Sequence, residues 1–501
     1  MKRRHFLQTS AAAAVAASFP SSQALAAAVT ALSEVTSDVN AATGSGTQVT
    51  LEQASIKELS DSLRGRLLLP GAEGYDSARR VINPTIDKFP ALVVQPSGAA
   101  DIMSAVTFAR ERKLLVAVKC GGHSFSGKST CDGGMQIDLS SFRGARIDAQ
   151  TRTAYVAGGS LLGELDYEAM AQGLVTTAGT VSHTGVGGLT LGGGFGRLAR
   201  RYGLALDNIT GVDIVTADGK LVHADANNHP DLFWGVRGGG GNFGVATNFE
   251  FMLHPMQRTV IGGDIVFPLA QLNDILSFYA EYITEAPDDL YLDFGVFSDP
   301  GTTEGGVLLS TCYSGPESKA DEIYSLIRKV GTPVHDGTSA VDYVALQRSW
   351  DDTDPRSTGS YLKSGFINEF PDQLVSTITQ NFKAFNERGT TMFFQHSGGA
   401  IGRVPADATA FAHRKAIANM FAVVAWPLGE SRDSHVRYIK EYWKDFEPFT
   451  DGWYTNEVDD HTAGTVNSNY QGNYQRMVQV KNNYDPTNLF RLNANVKPTR
   501  S

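Results

Sequence analysis

The stretch Lys119-Cys-Gly-Gly-His-Ser-Phe-Ser-Gly-Lys-Ser129 has two interpretations that lead to different folds. Residues 122–129 match the pattern G-x-x-x-x-G-K-[ST], which is typical of a loop that binds nucleoside triphosphates. The same stretch also places His123 on a glycine turn, directly after the apolar run 114–118. The residues on either side decide between a phosphate loop and a turn that presents a histidine.

A phosphate loop must open a helix, because the bound phosphates lie on the free amides of the first helical turn. Ser129 is followed instead by Thr-Cys-Asp-Gly-Gly and then by the alternating segment 135–139. Two adjacent glycines and a short strand do not supply a helix. The sequence therefore argues against a P-loop triphosphatase despite the match.

The N-terminus reads as an export signal. Two adjacent arginines, Arg3 and Arg4, precede the mild apolar stretch 11–19 and the small-residue site Ala24-Leu25-Ala26. This order predicts a twin-arginine signal peptide over 1–26 and an exported protein, periplasmic or secreted; an ordinary signal with an incidental arginine pair is the alternative. The apolar stretch is too short for a membrane span. Residues 29–49 are rich in Ala, Ser and Thr, which predicts a poorly ordered tether within 27–60.

Composition limits the class of protein. The chain has 501 residues, 42% of them hydrophobic, which is ample for more than one domain. The net charge of −10 and the absence of a dense basic run after the signal argue against a nucleic-acid partner. No histidine or cysteine spacing indicates a metal site. Three cysteines are too few for a disulfide scaffold, although a Cys120–Cys131 bridge and free thiols remain equally open.

Glycine divides the chain into two parts. Many of the 52 glycines lie between 121 and 244, whereas residues 262–453 alternate between apolar runs and amphipathic helices. The second part predicts an α+β domain in which helices cover an antiparallel sheet. Its predicted strands are 264–267, 291–297, 306–312, 391–395 and 419–424, and its predicted helices are 269–284, 317–330, 372–388 and 433–446. Residues 472–498 predict a helix and an apolar tail that docks back onto the body.

The glycine-rich part predicts a binding bed made of backbone. Helices over 99–112 and 161–172 precede the first two glycine clusters, and the second cluster, 177–196, is punctuated by four bulky apolar residues. Such a segment suits a flat or phosphorylated ligand held by amide N–H groups. A third cluster, 238–244, contains G-x-G-x-x-G, but the alternating segment 245–253 follows it where a Rossmann site needs a helix.

Five ordered motifs carry a family resemblance. They resemble the berberine-bridge-enzyme-like branch of the vanillyl-alcohol-oxidase/para-cresol-methylhydroxylase flavoproteins, and they span nearly the whole mature chain: 119–124, 185–196, 201–208, 231–244 and 484–491. The resemblance implies an α+β fold with a two-subdomain PCMH-type FAD-binding domain over 61–258. It also implies a substrate domain over 259–464, and a C-terminal segment over 465–501 that returns to the FAD domain.

The resemblance further implies that His123 bonds covalently to the 8α-methyl carbon of FAD. Many relatives have a second bond from a cysteine, but Val181 stands at that position, so a single link is expected. The implied cofactor-binding residues are Lys119, Gly121, Gly122, His123, Ser124, Gly127, Gly179, Thr180, Val181, Gly185, Gly188, Leu191, Gly192, Gly193, Gly194, Asn242, Phe243, Gly244 and Val245.

Catalytic residues are expected in the substrate domain. Tyr454 matches a Tyr-x-Asn element whose tyrosine acts as, or activates, the base in relatives; a packing tyrosine is the alternative. Asn419 is the only polar side chain of the strand that supplies a second active-site group, and Glu457 is a further candidate. Secondary expectations are solvated or structural roles for Gln395, Asp459 and Glu457, cavity-lining roles for Tyr470 and Tyr474, and tail-capping roles for Asn493 and Asn495.

These observations predict an exported covalent flavoprotein that oxidises a C–OH or C–N carbon of a small molecule. Hydride would pass to FAD N5, and O₂ would accept the electrons and give H₂O₂. One alternative keeps the fold as a dehydrogenase with a quinone or protein acceptor. Another is a degenerate flavin fold retained as a binding protein.

Overall fold

The computed structural model describes residues 35, 37–298, 304–352, 355–384, 388–457 and 463–499. The predicted signal peptide over 1–26 therefore lies outside the described residues. Among the described residues no helix is long and apolar enough to cross a bilayer.

The N-terminal tether departs from the prediction of little order. Residues Val39–Ala42 pair antiparallel with Gln48–Leu51, and the helix Gln53–Ser62 follows. Ala41, Leu51 and Ile56 are fully or almost fully buried in the core of the first sheet. The Ala, Ser and Thr content of this segment favoured disorder, so its alternating apolar positions were not recognised. These positions pack the hairpin onto the core of the first sheet.

The first sheet positions the glycine turn that follows Lys119. Its four strands lie in the order Arg66–Leu68, Leu92–Gln95, Met135–Asp138 and Val116–Lys119. The helix Ala99–Glu111 connects the second of these strands to the last, which pairs parallel with Met135–Asp138. Because the carboxyl ends of parallel strands meet at one edge of a sheet, the turn lies at that edge.

The second sheet carries the third glycine cluster. It is antiparallel, with the strand order Leu221–Asp225, Ile209–Thr216, Gly244–Met252, Thr153–Ala157 and Ala145–Asp148. The strand Gly244–Met252 begins at the last glycine of the cluster 238–244. This confirms that G-x-G-x-x-G here precedes a strand and is not a Rossmann fingerprint.

The large sheet forms the second half of the molecule and confirms the α+β prediction. Within the described residues it has eight antiparallel strands, and all five predicted strands belong to it. Their bounds, in sheet order, are His335–Asp336, Thr259–Pro268, Gly305–Tyr313, Leu290–Ser298, Thr390–His396, Ala418–Pro427 and Thr358–Ile367, with Ser339–Asp342 also paired to Thr259–Pro268. The edge strand Thr358–Ile367 was not predicted.

One face of the large sheet is covered by helices. The four predicted helices occupy Leu272–Tyr282, Ala320–Arg328, Asp372–Ala384 and Arg432–Trp443, and they share one apolar core with the sheet. The other face of the sheet is turned to the glycine-rich half. Apart from the C-terminal helix Tyr474–Tyr484, the other α-helices of the described residues are short and lie at Tyr75–Arg79, Leu162–Met170, Val186–Gly192, Ala199–Tyr202, Pro230–Val236, Tyr343–Gln347, Ala400–Arg403 and Ala463–Asn469.

The C-terminal helix Tyr474–Tyr484 leads into a tail bonded to the third glycine cluster. The side-chain nitrogen of Asn242 donates to the Ala494 carbonyl at 3.0 Å, and its side-chain oxygen accepts from the backbone N–H of Val496 at 3.0 Å. Lys481 is fully buried and donates to the Asn242 carbonyl at 2.7 Å. The chain end is therefore held against the wall of the cavity described next.

Candidate functional site

Two glycine clusters touch each other behind His123. A Cβ on Gly121 would lie 2.6 Å from the backbone nitrogen of Gly185, and one on Gly185 would lie 2.4 Å from the nitrogen of Gly121. No side chain fits between the two loops, so glycine is required on both sides of this contact. The close approach joins the first two clusters into one surface. We call this surface, together with the start of the third cluster, the glycine wall (residues 121–126, 179–191 and 239–241).

The match to a phosphate loop is a false one, as predicted. Ser129 is followed by turns and then by the strand Met135–Asp138, and no helix begins at this point. The Lys128 amide donates to the Ser124 hydroxyl at 3.1 Å, which closes a local turn. A phosphate loop would need those amides at a helix N-terminus.

A cavity of about 360 Å³ separates the glycine wall from residues of the substrate half. The C-terminal tail closes a third side through Phe490, Leu492 and Asn493. Of the predicted cofactor residues, those that line the cavity are Gly121, Gly122, His123, Ser124, Gly179, Thr180, Val181, Gly185, Gly188, Leu191 and Gly244.

Other predicted cofactor residues lie behind the wall. Lys119 is buried and donates to the Ala78 carbonyl at 2.7 Å, beside the buried Asp138. Phe243 and Val245 belong to the two sheet cores, and Asn242 holds the C-terminal tail. These residues support the cavity without lining it, and so do Gly127, Gly192, Gly193 and Gly194.

The cavity also has polar atoms that suit a bound polar ligand. The Ser129 hydroxyl and the side-chain oxygen of Asn493 are buried and have no hydrogen-bond partner within the described protein. Both residues line the cavity, and buried polar atoms in native proteins are normally bonded. Asn493 was expected to cap the tail; it bonds the Phe490 carbonyl at 3.1 Å and also faces the cavity. A flat cofactor with polar edges fits these walls.

His123 lies in the cavity wall between two rings. The His183 ring centroid is 5.2 Å away, and the Phe125 ring stands edge-on at 5.6 Å. Both imidazole nitrogens of His183 are buried and have no hydrogen-bond partner among the described residues. The glycines on its N-terminal side let the backbone turn, and Gly122 adopts a φ of +72°.

The cysteines are unpaired in the structure, so of the two open alternatives the free thiols are found. Burial raises the pKa of Cys120 to about 11 and that of Cys131 to about 12, which keeps both protonated. Cys120 lines the cavity next to Gly185, a position that was not predicted from the sequence. Val181 also lines the cavity.

Tyr454 is buried at the point where the substrate half meets the glycine wall. Its hydroxyl oxygen accepts hydrogen bonds from the Gly194 amide and from the Asn456 side chain, both at 2.8 Å. Burial raises the pKa of Tyr454 well above its usual value, although the Gly194 hydrogen bond opposes this. The tyrosine is therefore neutral at ordinary pH. Because its oxygen accepts two bonds, its own hydrogen can be donated to a third group.

Glu457, Asn419 and Gln395 form a polar cluster beside Tyr454. The Asn419 amide donates to Gln395 at 2.8 Å and to Glu457 at 3.1 Å. Burial raises the pKa of Glu457 to about 7, and hydrogen bonds from Asn419 and Ser364 partly offset this. Glu457 and Gln395, for which the sequence favoured solvated or structural roles, both line the cavity.

The remaining sequence candidates are dispersed. Tyr470 lines the cavity as expected, whereas Tyr474 is not among the lining residues. Asp459 lies outside the described residues, and the side-chain oxygen of Asn495 is buried and without a hydrogen-bond partner in the described protein. No cluster of three or more potential metal ligands occurs among the described residues.

Family models match two segments that enclose this cavity. Residues 90–225 match an FAD binding domain, and residues 453–497 match the family described as berberine and berberine like. The first segment contains most of the glycine wall. The second contains Tyr454, Glu457 and the returning tail.

Individual proteins align over almost the whole length. An FAD-linked oxidoreductase of Dictyostelium discoideum is 31% identical over 453 residues, covering 89% of this chain and 97% of that protein. The (R)-6-hydroxynicotine oxidase of Paenarthrobacter nicotinovorans is 29% identical and covers 88% of this chain and 98% of that enzyme. The berberine bridge enzyme of Eschscholzia californica has the same fold, with a TM-score of 0.79, 22% identity, and coverage of 89% and 99%.

Proposed function

The chain belongs to the berberine-bridge-enzyme-like FAD-linked oxidoreductases, and on that premise we propose that it oxidises a C–OH or C–N carbon of a small molecule. In this proposal His123 carries the FAD covalently, O₂ accepts the electrons and gives H₂O₂, and the enzyme is exported by the twin-arginine route. The observation that carries the proposal is the pair of Tyr454 and Glu457, which line the cavity with the glycine wall.

FAD held by the glycine wall and His123 would supply an acceptor for a hydride equivalent from the substrate carbon. The protein must therefore fix the substrate and take up the proton that leaves its O–H or N–H group. Tyr454 and Glu457 divide these two tasks according to their protonation states.

Tyr454 suits the orienting task. Its neutral hydroxyl is fixed by Gly194 and Asn456, so it donates its hydrogen to the oxygen or nitrogen of the substrate. The sequence favoured Tyr454 as the base. A phenol whose pKa is raised by burial is a poor proton acceptor at neutral pH, so we assign that role elsewhere.

Glu457 suits the proton-accepting task. With a pKa of about 7, its carboxyl group is partly ionised near neutral pH and is closely matched to general-base catalysis. Asn419 donates to Glu457 and so orients the carboxylate, while Gln395 holds Asn419. Asn419 is thereby a positioning residue in the proposed reaction.

The covalent bond to His123 is supported by position. His123 lines the cavity on the glycine wall, and a neutral imidazole nitrogen is a competent nucleophile. Val181 offers no second nucleophile, and the nearby Cys120 thiol is protonated, which weakens it as a nucleophile. A single covalent link is therefore part of the proposal.

Oxygen uptake tests the proposed reaction. Purified holoenzyme is supplied with a panel of sugars, alcohols and amines, and O₂ consumption and H₂O₂ formation are recorded. The proposal expects at least one alcohol or amine to give equal amounts of O₂ consumed and H₂O₂ formed. Flavin reduction without O₂ consumption would favour the dehydrogenase, and no flavin reduction by any compound would favour a binding protein.

A further inference from the structure

The loop 176–182 leads into the glycine wall and has no regular secondary structure. Its residues Gly179, Thr180 and Val181 line the cavity. Backbone groups of such a loop need hydrogen-bond partners from other parts of the chain when they are buried. Val181 offers no nucleophile for a second covalent bond to FAD, so the position of this loop depends on hydrogen bonds and packing.

One side chain of the substrate half bonds two successive carbonyls of this loop. Gln347 is the last residue of the short helix Tyr343–Gln347 and is almost fully buried. Its side-chain nitrogen donates to the Ala178 carbonyl at 2.9 Å and to the Gly179 carbonyl at 3.1 Å. The same nitrogen lies 3.1 Å from the buried Asp166 carboxylate, so three acceptors surround its two hydrogens.

Arg197 fixes the orientation of the Gln347 amide. Its guanidinium donates to the side-chain oxygen of Gln347 at 3.1 Å and to the Thr180 carbonyl at 3.2 Å. Because an arginine can only donate, the oxygen of Gln347 faces Arg197 and the nitrogen faces the loop. Arg197 is itself almost fully buried and lies 5.2 Å from the Trp350 ring of the substrate half.

Asp351 holds the far end of the loop. It accepts from the backbone N–H of Ser182 at 2.8 Å and from the Ser182 hydroxyl at 2.5 Å. Asp351 follows Gln347 by four residues, so one segment of the substrate half bonds both ends of the loop. We call Gln347, Arg197 and Asp351 the clamp. The clamp bonds four backbone groups within residues 178–182.

We propose that the clamp holds the cavity-lining loop in the position that binds FAD, and that Gln347 is its central positioning residue. The proposal rests on the proposed function, because that function places FAD on the glycine wall. Gln347 does not line the cavity, so it acts through the loop. Because the substrate half supplies Gln347 and Asp351, the clamp also fixes the loop relative to the polar cluster of that half.

Removal of the Gln347 amide gives the cleanest change to the clamp. Gln347→Met keeps the approximate length of the side chain and removes both donor hydrogens. The Ala178 and Gly179 carbonyls then turn toward another donor or stay buried without one, and either outcome displaces the loop. A loop that is less well fixed must be ordered when the cofactor binds, which weakens binding.

FAD affinity tests the clamp without any substrate. His123→Ala removes the proposed covalent bond, so the Kd of FAD can be measured by fluorescence titration. In this background we expect Gln347→Met to raise the Kd about tenfold or more. In protein that keeps His123, Gln347→Met should change the visible circular dichroism of the bound flavin, which reports the surroundings of the isoalloxazine ring.

Asn473→Leu is the matched control. Asn473 is a buried amide that donates to the Ala406 and Thr409 carbonyls at 2.7 and 3.1 Å. None of these three residues lines the cavity. Asn473→Leu should lower the thermal unfolding midpoint much as Gln347→Met does, because both variants leave two carbonyls without their donor. It should keep the Kd of FAD within about twofold and leave the flavin spectrum unchanged.

A second pair of variants tests the far end of the loop. Asp351→Asn keeps an acceptor for the Ser182 N–H, so it should raise the Kd of FAD less than Asp351→Ala does. An unchanged Kd and flavin spectrum in Gln347→Met, or an equal rise of Kd in Asn473→Leu, would overturn the inference. Equal effects of the two Asp351 variants would overturn the part assigned to Asp351.

These measurements separate the clamp from the proposed reaction. If no alcohol or amine reduces the flavin, the proposed oxidation fails, while the Kd of FAD still decides the role of the clamp. If acid releases the flavin from wild-type protein, the covalent bond fails, and the same titrations are made on the wild-type apoprotein. A wild-type Kd in Gln347→Met together with substrate oxidation would remove the clamp and keep the proposed function.

Discussion

The two walls of the cavity are built by different means. The glycine wall offers mainly backbone and forms because glycine loops approach each other too closely for any side chain. The opposite wall consists of side chains that arrive from separate segments: Gln395 from a strand, bonded to Asn419 on the neighbouring strand, and Tyr454 and Glu457 from a later loop. We call this second surface the side-chain wall. In the proposed reaction the first wall would hold the cofactor by shape, and the second would orient the substrate and take up its proton.

The largest effect is expected from removing the proposed covalent attachment of FAD to the glycine wall. Denatured wild-type protein should stay yellow, with the flavin on one peptide that contains His123. His123→Ala should lose covalent flavin completely, because Val181 supplies no nucleophile and the Cys120 thiol is protonated. Absorbance of the acid-precipitated pellet measures this. Full release of flavin from wild-type protein by acid would contradict the covalent link.

The next effect concerns the side-chain wall. Tyr454→Phe should slow anaerobic flavin reduction by about a hundredfold or more, because the substrate loses its orienting donor at the reacting centre. Flavin content and the reoxidation rate should stay near wild type. Tyr470→Phe removes the hydroxyl of another buried cavity-lining tyrosine and serves as the control. A slowing of less than about threefold would make Tyr454 a packing residue.

Two glycine variants distinguish a glycine that the packing of the loops requires from a glycine that faces the cofactor site. Gly121→Ala places a Cβ 2.6 Å from the backbone of Gly185 and should lower the free energy of unfolding of the apoprotein by about 1–3 kcal/mol. Gly188 lines the cavity, and beyond its chain neighbours and its own helix backbone no described atom lies within 4 Å of its Cβ position. Gly188→Ala should leave apoprotein stability unchanged and lower flavin content. Denaturant unfolding and flavin absorbance measure the two quantities, and equal effects of both variants on stability would contradict this account.

The smallest effect is expected at the false phosphate loop. Lys128→Ala should change flavin content little, and wild-type protein should show no measurable affinity for Mg-ATP by calorimetry. No helix follows Ser129 to bind phosphates. Micromolar binding of Mg-ATP to the wild type would overturn the interpretation of this stretch.

The two walls also differ in how far they could be predicted. The glycine wall was visible in the sequence because backbone contact demands glycine itself, in order and in runs. The sequence did not distinguish the residues that line the wall from those that support it. Lys119 and Phe243 belong to the same motifs as the lining residues, yet both lie behind the wall. Motif membership reports a shared fold and does not say which side chains face a cavity.

The side-chain wall could be predicted only in part. Tyr454 was found through its motif, but the hydrogen bond between Asn419 on a strand and Glu457 on a loop joins residues 38 positions apart, which no local pattern indicates. The raised pKa of Glu457 arises from burial, which no local pattern encodes. The ordered N-terminal hairpin was missed for a related reason, since its stability comes from packing on the first core.

The pH dependence of anaerobic flavin reduction in wild type and Glu457→Gln tests the division between the walls most directly. The wild-type rate should rise about tenfold per pH unit below pH 7 and level off above it, because only the carboxylate accepts the proton. Glu457→Gln should keep its full flavin content, lose this dependence and react about a hundred- to ten-thousand-fold more slowly. A variant that retains the wild-type rate and pH profile would contradict the assignment of proton transfer to the side-chain wall.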